Sequence, residues 1–395
     1  MKISFAIPHS GCAYWRCRLP AKAIQEQGLA EVKVFDDTCM GDEELQDIIE
    51  WGDVIVRQSS MGIEEIAMIR HYKENLGKTM IGDYDDYTFS ISAYNPSYRS
   101  FGLSNVRVID NNTGREFWWY KDGKDGFDLK ANKLRYMSLM DLLFHFDAIT
   151  TTNKFLKEKY QEHNNNIFIL PNSIDFNIFK PLPRLNDNRV RIGWTASDSH
   201  CSEIIMVKQI MRKVVNKYGD KVIFVELGNL FELQNEFNKN ELELHPWVSL
   251  FSYPFKLASL GFDIGICPLE LSDPKAVDFN RAKSQLKWSE FGALRIPSVC
   301  TNAEPYSCVE DGVTGYLAST VDEYAEKIGI LVENADLRKK IGDNAYQKNY
   351  EDYNLEKNAV LWVEAYEQAR EKAIDLPIMD EGMLEKCSTF EHGVR

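Results

Sequence analysis

Short apolar runs recur through the first half of the chain, KISFAIP, EVKVFD, DVIVRQ, KTMIGDYDD, NVRVID, DAITTT and NIFILPN, with helix-length intervals between them. Strands spaced in this way predict βαβ units and a mostly parallel sheet. The second half repeats the pattern with NRVRIGWTAS, KVIFVELG, WVSLFSY, FDIGICPLE, IPSVCTN and GYLAS, and a long helix is expected from about Glu203 to Tyr218. Between the halves, KPLPRLNDN (Lys180 to Asn188) carries two prolines and no periodicity, which marks it as the linker. After Thr320 the pattern becomes helical, and the last helix places Val360, Trp362, Val363 and Tyr366 on one side. The prediction is an α/β chain with a Rossmann-like domain over 1–183, a second over 188–352, and a C-terminal helix and tail over 353–395. The tail is expected to pack back on the first domain, and a cleft is expected between the two sheet ends.

Composition narrows the classes. With 395 residues, 44% hydrophobic and 12% aromatic, the chain can bury two cores. No stretch approaches the roughly twenty apolar residues of a membrane span, and the amino terminus reads as a first strand, Lys2 to Ile7. Eight cysteines without paired metal-ligand spacing suit a reducing, cytoplasmic setting. A net charge of −14 counts against a chain coated by nucleic acid or held on an anionic membrane. It leaves room for a local basic groove. The Lys121 to Lys133 run, which has acidic residues among its lysines, reads as a solvated face.

The most informative stretch is DFNRAKSQLKWSEFGALRIP, Asp278 to Pro297. It follows Phe262 to Leu271, an apolar run that reads as a parallel strand buried on both faces. Open α/β sheets hold their ligands beyond the carboxyl ends of such strands. In a helix beginning near Ala282, Lys283, Lys287 and Glu290 would share one face at i, i+4 and i+7. Two cations and an acceptor in that register suit a diphosphate and a ribose.

Four ordered segments then resemble the retaining GT-B fold glycosyltransferases. DAITTTNKFLKEKY followed by IFILPNSIDFNIFKP is similar to the family's segment that closes the first domain. RIGWTASDSH is similar to its phosphate loop, FNRAKSQLKWSEFGALRIPSV to its donor helix, and CVEDGVTGYLAS to the turn after it. The opening PHSGCAYWRCRLPAKAI resembles first domains of phage-encoded members, some of which modify DNA bases. One departure stands out. The family pattern often carries two glutamates eight positions apart; Glu290 fits the second, and the first position holds Ala282.

The resemblance implies a GT-B arrangement and transfer of a sugar from a nucleoside diphosphate donor to an acceptor hydroxyl. The reaction would proceed by front-face attack, with no metal required. Lys283 and Lys287 would hold the leaving diphosphate, helped by N–H groups near Ala282 to Ser284. Gly11, Gly193, Thr195, Ser197, His200, Asn280 and Ser284 would line the donor, and Glu290 would accept from the ribose. In the first domain, the loop with His9, Ser10 and Gly11 would face the cleft. Arg16 would serve as a further cation on phosphate or acceptor, and Tyr14, Trp15 and Asp85 would meet the acceptor. Core packing suits Tyr14 and Trp15 equally well. The carboxylates Asp83, Asp85 and Asp86 read as an acceptor-side cluster or a turn network in preference to a metal site. A hydroxymethylated base in DNA is the leading acceptor expectation, with a cell-surface glycan or lipid-linked sugar as the alternative. A non-catalytic sugar-nucleotide-binding module and an epimerase on the same fold are the competing functions. Oligomeric state is left open.

Overall fold

The computed structural model describes residues 1–8, 10–36, 42–110, 113–183, 188–228 and 233–372. Two six-stranded sheets dominate it, and each strand forms where an apolar run was expected, with two exceptions. The first sheet contains β1 (Lys2–Ile7), β2 (Glu31–Asp36), β3 (Val54–Gln58), β4 (Thr79–Asp83), β7 (Ala148–Thr151) and β8 (Ile167–Ile169). Its spatial order is β2-β1-β3-β4-β7-β8, and all neighbours are parallel. The second contains β9 (Val190–Thr195), β10 (Val222–Gly228), β11 (Leu242–Pro246), β12 (Ile264–Cys267), β13 (Ser298–Thr301) and β14 (Tyr316–Ala318). Its order, β11-β10-β9-β12-β13-β14, is that of a dinucleotide-binding Rossmann sheet. The central strands are buried along their whole length because helices cover both faces.

The exceptions have clear causes. NVRVID does not join the first sheet: β5 (Val106–Ile109) pairs antiparallel with β6 (Glu116–Tyr120) as a separate hairpin. Phe117, Trp118 and Trp119 stand exposed on it, so an apolar run here marks a surface ribbon. WVSLFSY is no strand either. The strand lies just upstream at β11, and Tyr253 instead opens the helix Tyr253–Ser259 behind Pro254, which suits the first turn of a helix.

The domains are tied at several points. The helix Val277–Ala282 of the second domain docks on the first: Phe279 packs with Ile91, Tyr98 and Phe127, and Ala282 joins the cluster containing Phe155 and Tyr160. Ser90 Oγ donates to Lys275 O at 2.9 Å, and Lys159 Nζ meets Asp278 at 2.5 Å. The last helix, Leu355–Glu371, packs against the helix Leu19–Glu26 and against β4 of the first sheet. Its buried stripe is Leu355, Ala359, Trp362, Val363 and Tyr366, and Tyr366 meets Phe5 at 6.2 Å between ring centroids. Val360, expected on this stripe, is exposed on the far side, since it sits two positions from Trp362 and so about 160° away on a helix of 3.6 residues per turn. The tail beyond residue 372 and part of the linker lie outside the described residues.

Candidate active site

The strand order turns once in each sheet, between β1 and β3 in the first and between β9 and β12 in the second. In the second sheet the reversal lies between β9 and β12, whose carboxyl ends lead to Thr195–Ser197 and to Pro268–Glu270. A ligand crevice opens at such a point because the chain leaves the two strands toward opposite faces.

Lys283, Lys287 and Glu290 do not lie on one continuous helix, contrary to the spacing argument. The helix Val277–Ala282 stops, Lys283 takes an extended conformation (φ −57°, ψ 158°), and a new helix runs Leu286–Ala293. The break is fixed from the crossing segment: Asn172 Nδ2 donates to Ser284 Oγ at 3.0 Å, and Gln285 Nε2 donates to Asn172 O at 2.8 Å. The second helix therefore starts at Leu286, so its N-terminus falls after Ser284 instead of near Ala282, and Ser284 Oγ accepts from Leu286 N at 3.4 Å. Lys283 sits in the break and Lys287 in the first turn, while Glu290 lies one turn deeper.

The two lysines hydrogen-bond only to neutral groups, while carboxylates act on them at longer range: Glu203 and Asp86 on Lys283, Glu290 and Glu203 on Lys287. Lys283 Nζ donates to Ser199 O at 3.3 Å and lies 5.0 Å from the Phe279 ring centroid. Lys287 Nζ donates to the carbonyl of Thr195 and to its Oγ1 at 3.0 Å. Burial holds Lys287 below the ordinary lysine range. Glu290, 4% exposed, accepts from Tyr253 Oη at 2.8 Å, and burial raises its pKa to about 7 against the pull of Lys287 and of that hydroxyl.

Behind the lysines stands a residue that the sequence did not single out. Glu203 is fully buried at the end of the turn Asp198–Glu203, and its Oε1 accepts from Asn280 Nδ2 at 2.9 Å. Asn280 also donates to Glu270 O at 2.8 Å, so Glu203 and Asn280 tie the loop after β9 to the loop after β12. Burial opposes its charge, yet the His200 side chain and Lys283 hold its pKa down to about 2. His200 Nδ1 lies 3.6 Å from Glu203 Oε2 without a hydrogen-bond partner, and burial with the two lysines lowers its pKa to about 3. The imidazole is therefore neutral at physiological pH. The position three after His200 was the only sequence signal for Glu203; Tyr253 gave none, because it arrives from a separate helix.

Several residues expected to line the donor make contacts within the fold. Gly193 lies inside β9, and a Cβ there would come within 2.0 Å of the Phe262 ring, so packing requires the glycine. Thr195, 1% exposed, holds Lys287, while Ser197 Oγ lies 3.0 Å from Ser199 Oγ. Asn280 and Ser284 are the ties just described.

In the first domain the correction is larger. The helix after β1 opens at Gly11 with the Ser10 hydroxyl accepting from Ala13 N at 3.1 Å. It then widens into a π-helical turn, Tyr14–Arg18. That turn buries Arg16 completely, and its guanidinium makes a two-pronged pair with Asp83, with Nη2 to Oδ2 at 2.8 Å and Nε to Oδ1 at 3.1 Å. The remaining nitrogen donates to Leu170 O and to Asn172 Oδ1, and the plane lies 4.7 Å from the Trp362 ring centroid. Arg16 is thus a buried tie among β4, the crossing segment and the last helix, without a face toward the cleft. Tyr14 and Trp15 are core as well, 6% and 8% exposed, against Phe251 and Phe179. Gly11 remains open, with nothing within 4 Å of a would-be Cβ, and Asp85 stays at the cleft end of β4. His9 lies outside the described residues.

The fold so defined is that of the GT-B proteins: two Rossmann-like domains, a cleft between their sheet ends, and a last helix returning to the first domain. The structure is similar to the sucrose-phosphate synthase of Thermosynechococcus elongatus, with 11% identity, TM-score 0.61, and 93% and 98% of the two chains covered. It is also similar to HepE of Anabaena, solved with UDP and glucose, with 13% identity, TM-score 0.57, and 93% and 100% covered. TarM matches with 14% identity and TM-score 0.53 over 79% of this chain, which spans only 54% of TarM. No family model matches the sequence, and no curated protein is similar to it in sequence.

Proposed function

We propose that this protein transfers a sugar from a nucleoside diphosphate sugar to an acceptor hydroxyl. One observation carries the reading: Lys283 and Lys287, whose hydrogen-bond partners are neutral, converge where β9 and β12 end and a helix begins. Negative charge grows on the diphosphate as the bond between the sugar's anomeric carbon and the phosphate oxygen breaks. Cations held in advance on rigid elements stabilise that charge without reorganising. In the front-face reaction that the resemblance implies, the acceptor oxygen bonds to the anomeric carbon on the face the diphosphate leaves, and its proton passes to the departing phosphate oxygen. Glu290 supplies the acceptor for the ribose hydroxyls, and the neutral His200 supplies an N–H for phosphate. HepE, a structural relative, binds UDP, which supports the donor class.

Among acceptors, a saccharide or polyol hydroxyl is better supported than a hydroxymethylated DNA base. The names of the similar structures concern sucrose phosphate, glucose and GlcNAc-glycerol, and the chain's net charge of −14 opposes a polyanionic partner. The test is calorimetric titration with UDP, GDP and ADP and their sugars, followed by product analysis with saccharide acceptors and with hydroxymethylated DNA. Binding without product under every acceptor would favour the non-catalytic module. Donor conversion with no acceptor present would favour the epimerase. No binding of any nucleotide would end the reading.

A further inference from the structure

The second domain offers a donor sugar cations and engaged carboxylates. Glu290 is held by Tyr253, and Glu203 by Asn280. At position 282, where the resemblance places a glutamate, Ala282 is fully buried among first-domain side chains, and its carbonyl accepts from Asn153 Nδ2 at 2.7 Å. A glutamate there would enter the interdomain core. The segment that carries Lys283 lies against the first domain, for Asn153 Nδ2 also donates to Lys283 O at 3.1 Å, so a diphosphate on Lys283 would lie beside first-domain residues.

The first-domain carboxylates on that side follow the end of β4. Asp83 is consumed by Arg16 and Thr150, but the next two carboxylates are not. Asp86 lies within electrostatic reach of Lys283. Apart from the Cys12 thiol, 3.9 Å from Asp86 Oδ2, and the Gln58 amide, 3.3 Å from Asp85 Oδ1, no donor among the described residues reaches either group. Gln58 stands beside them: it is 3% exposed, its Nε2 donates to Asp85, and its Oε1 is buried with no hydrogen-bond partner among the described residues. Burial, then Asp86 and Asp83, raise Asp85 to about 7, so the pair can hold a proton between them at neutral pH. A carboxylic acid beside a carboxylate both donates and accepts, which matches adjacent sugar hydroxyls.

Resting on the donor reading above, we propose that Asp85 and Asp86, with Gln58, bind the hydroxyls of the transferred sugar, supplying from the first domain the acceptor that Ala282 leaves out of the second. The pair recognises a hexosyl or pentosyl group with vicinal hydroxyls, while the nucleoside diphosphate is held entirely by the second domain.

The test compares wild type with Asp85→Asn and Asp86→Asn by calorimetry, using UDP against UDP-glucose and GDP against GDP-mannose. The expected result is unchanged affinity for the bare nucleoside diphosphate, with about a tenfold or greater loss of the additional affinity that the sugar confers, the range for hydrogen bonds to a charged group. Equal losses for both ligands would show a general disturbance and overturn the proposal, as would no loss for either. Cys12, Asp85 and Asp86 bring ligand-type atoms within 4.8 Å of one another. Binding of Mn²⁺ alone by wild type that vanishes in Asp86→Asn would make the cluster a cation site instead. If wild type binds no nucleotide at all, the donor reading falls and the proposal with it. Nucleotide binding with no preference for the sugar form sinks the proposal alone.

Discussion

The two sheet-reversal points are built from the same plan and carry opposite charge logic. At the first, Arg16 is fully buried and matched atom for atom by Asp83, Leu170 O and Asn172, and Arg57 on β3 pairs with Glu65, while Asp85 and Asp86 follow the end of β4. At the second, Lys283 and Lys287 reach only carbonyl and hydroxyl oxygens. A basic residue beside a strand end is therefore not evidence of a ligand until its partners are known. A carboxylate in direct contact neutralises it and makes it architecture; hydrogen bonds to neutral groups, with carboxylates only at longer range, leave part of its field for an anion.

Breaking the first point should show in stability. Arg16→Met leaves Asp83 charged and buried without its partner, and unfolding free energy is expected to fall by about 3–5 kcal/mol, read as a lower denaturant midpoint. If midpoint and slope stay unchanged, Arg16 is not the tie described. Breaking the second should show in rate. Lys287→Ala is expected to reduce kcat by about 10²–10³-fold while the unfolding midpoint moves little; a variant of full activity would remove Lys287 from the leaving-group site.

Gly193 sharpens the contrast between architecture and ligand contact. Gly193→Ala drives a methyl into the Phe262 ring, and about 1–3 kcal/mol of stability should be lost. The double change with Phe262→Leu should recover part of that loss. Reduced nucleotide affinity at full stability would instead return Gly193 to the donor site.

The smallest effect concerns pH. Glu290 is raised in the folded state from 4.5 to about 7, so folding favours its protonated form. Its contribution to stability is complete below pH 4.5 and is lost as pH rises through about 7. Glu290→Gln should flatten that slope and leave the unliganded protein about 1–2 kcal/mol more stable at pH 8, measured by denaturation across pH. Weaker nucleotide binding in the same variant would fit a ribose role bought with stability. A variant with the wild-type slope would place the titration elsewhere.

Much of this molecule was legible along the chain. Apolar runs alternate with helix-length intervals because a parallel sheet covered on both faces needs continuous apolar strands, and eleven of the thirteen runs became strands of the two main sheets. Helical spacing, which is local, placed Lys287 and Glu290 correctly on one helix, Leu286–Ala293, and misplaced Lys283, which sits in the break before it. The hairpin β5–β6 was not separable from a core strand, since apolar content alone does not say which sheet a strand joins.

The sequence by itself determined the two-domain α/β plan, the amphipathic last helix and the presence of two lysines beyond the apolar run Phe262 to Leu271. Only the tertiary structure decided which charged groups are free. Arg16 and Lys287 are both basic residues on helices that follow strands, and the difference between them rests on Asp83, 67 positions away in the chain. The break after Ala282 was likewise set by Asn172, more than a hundred positions upstream. Helical periodicity reports neighbours within a few residues, whereas the charge and direction of a buried side chain follow from partners that only folding brings within hydrogen-bond reach.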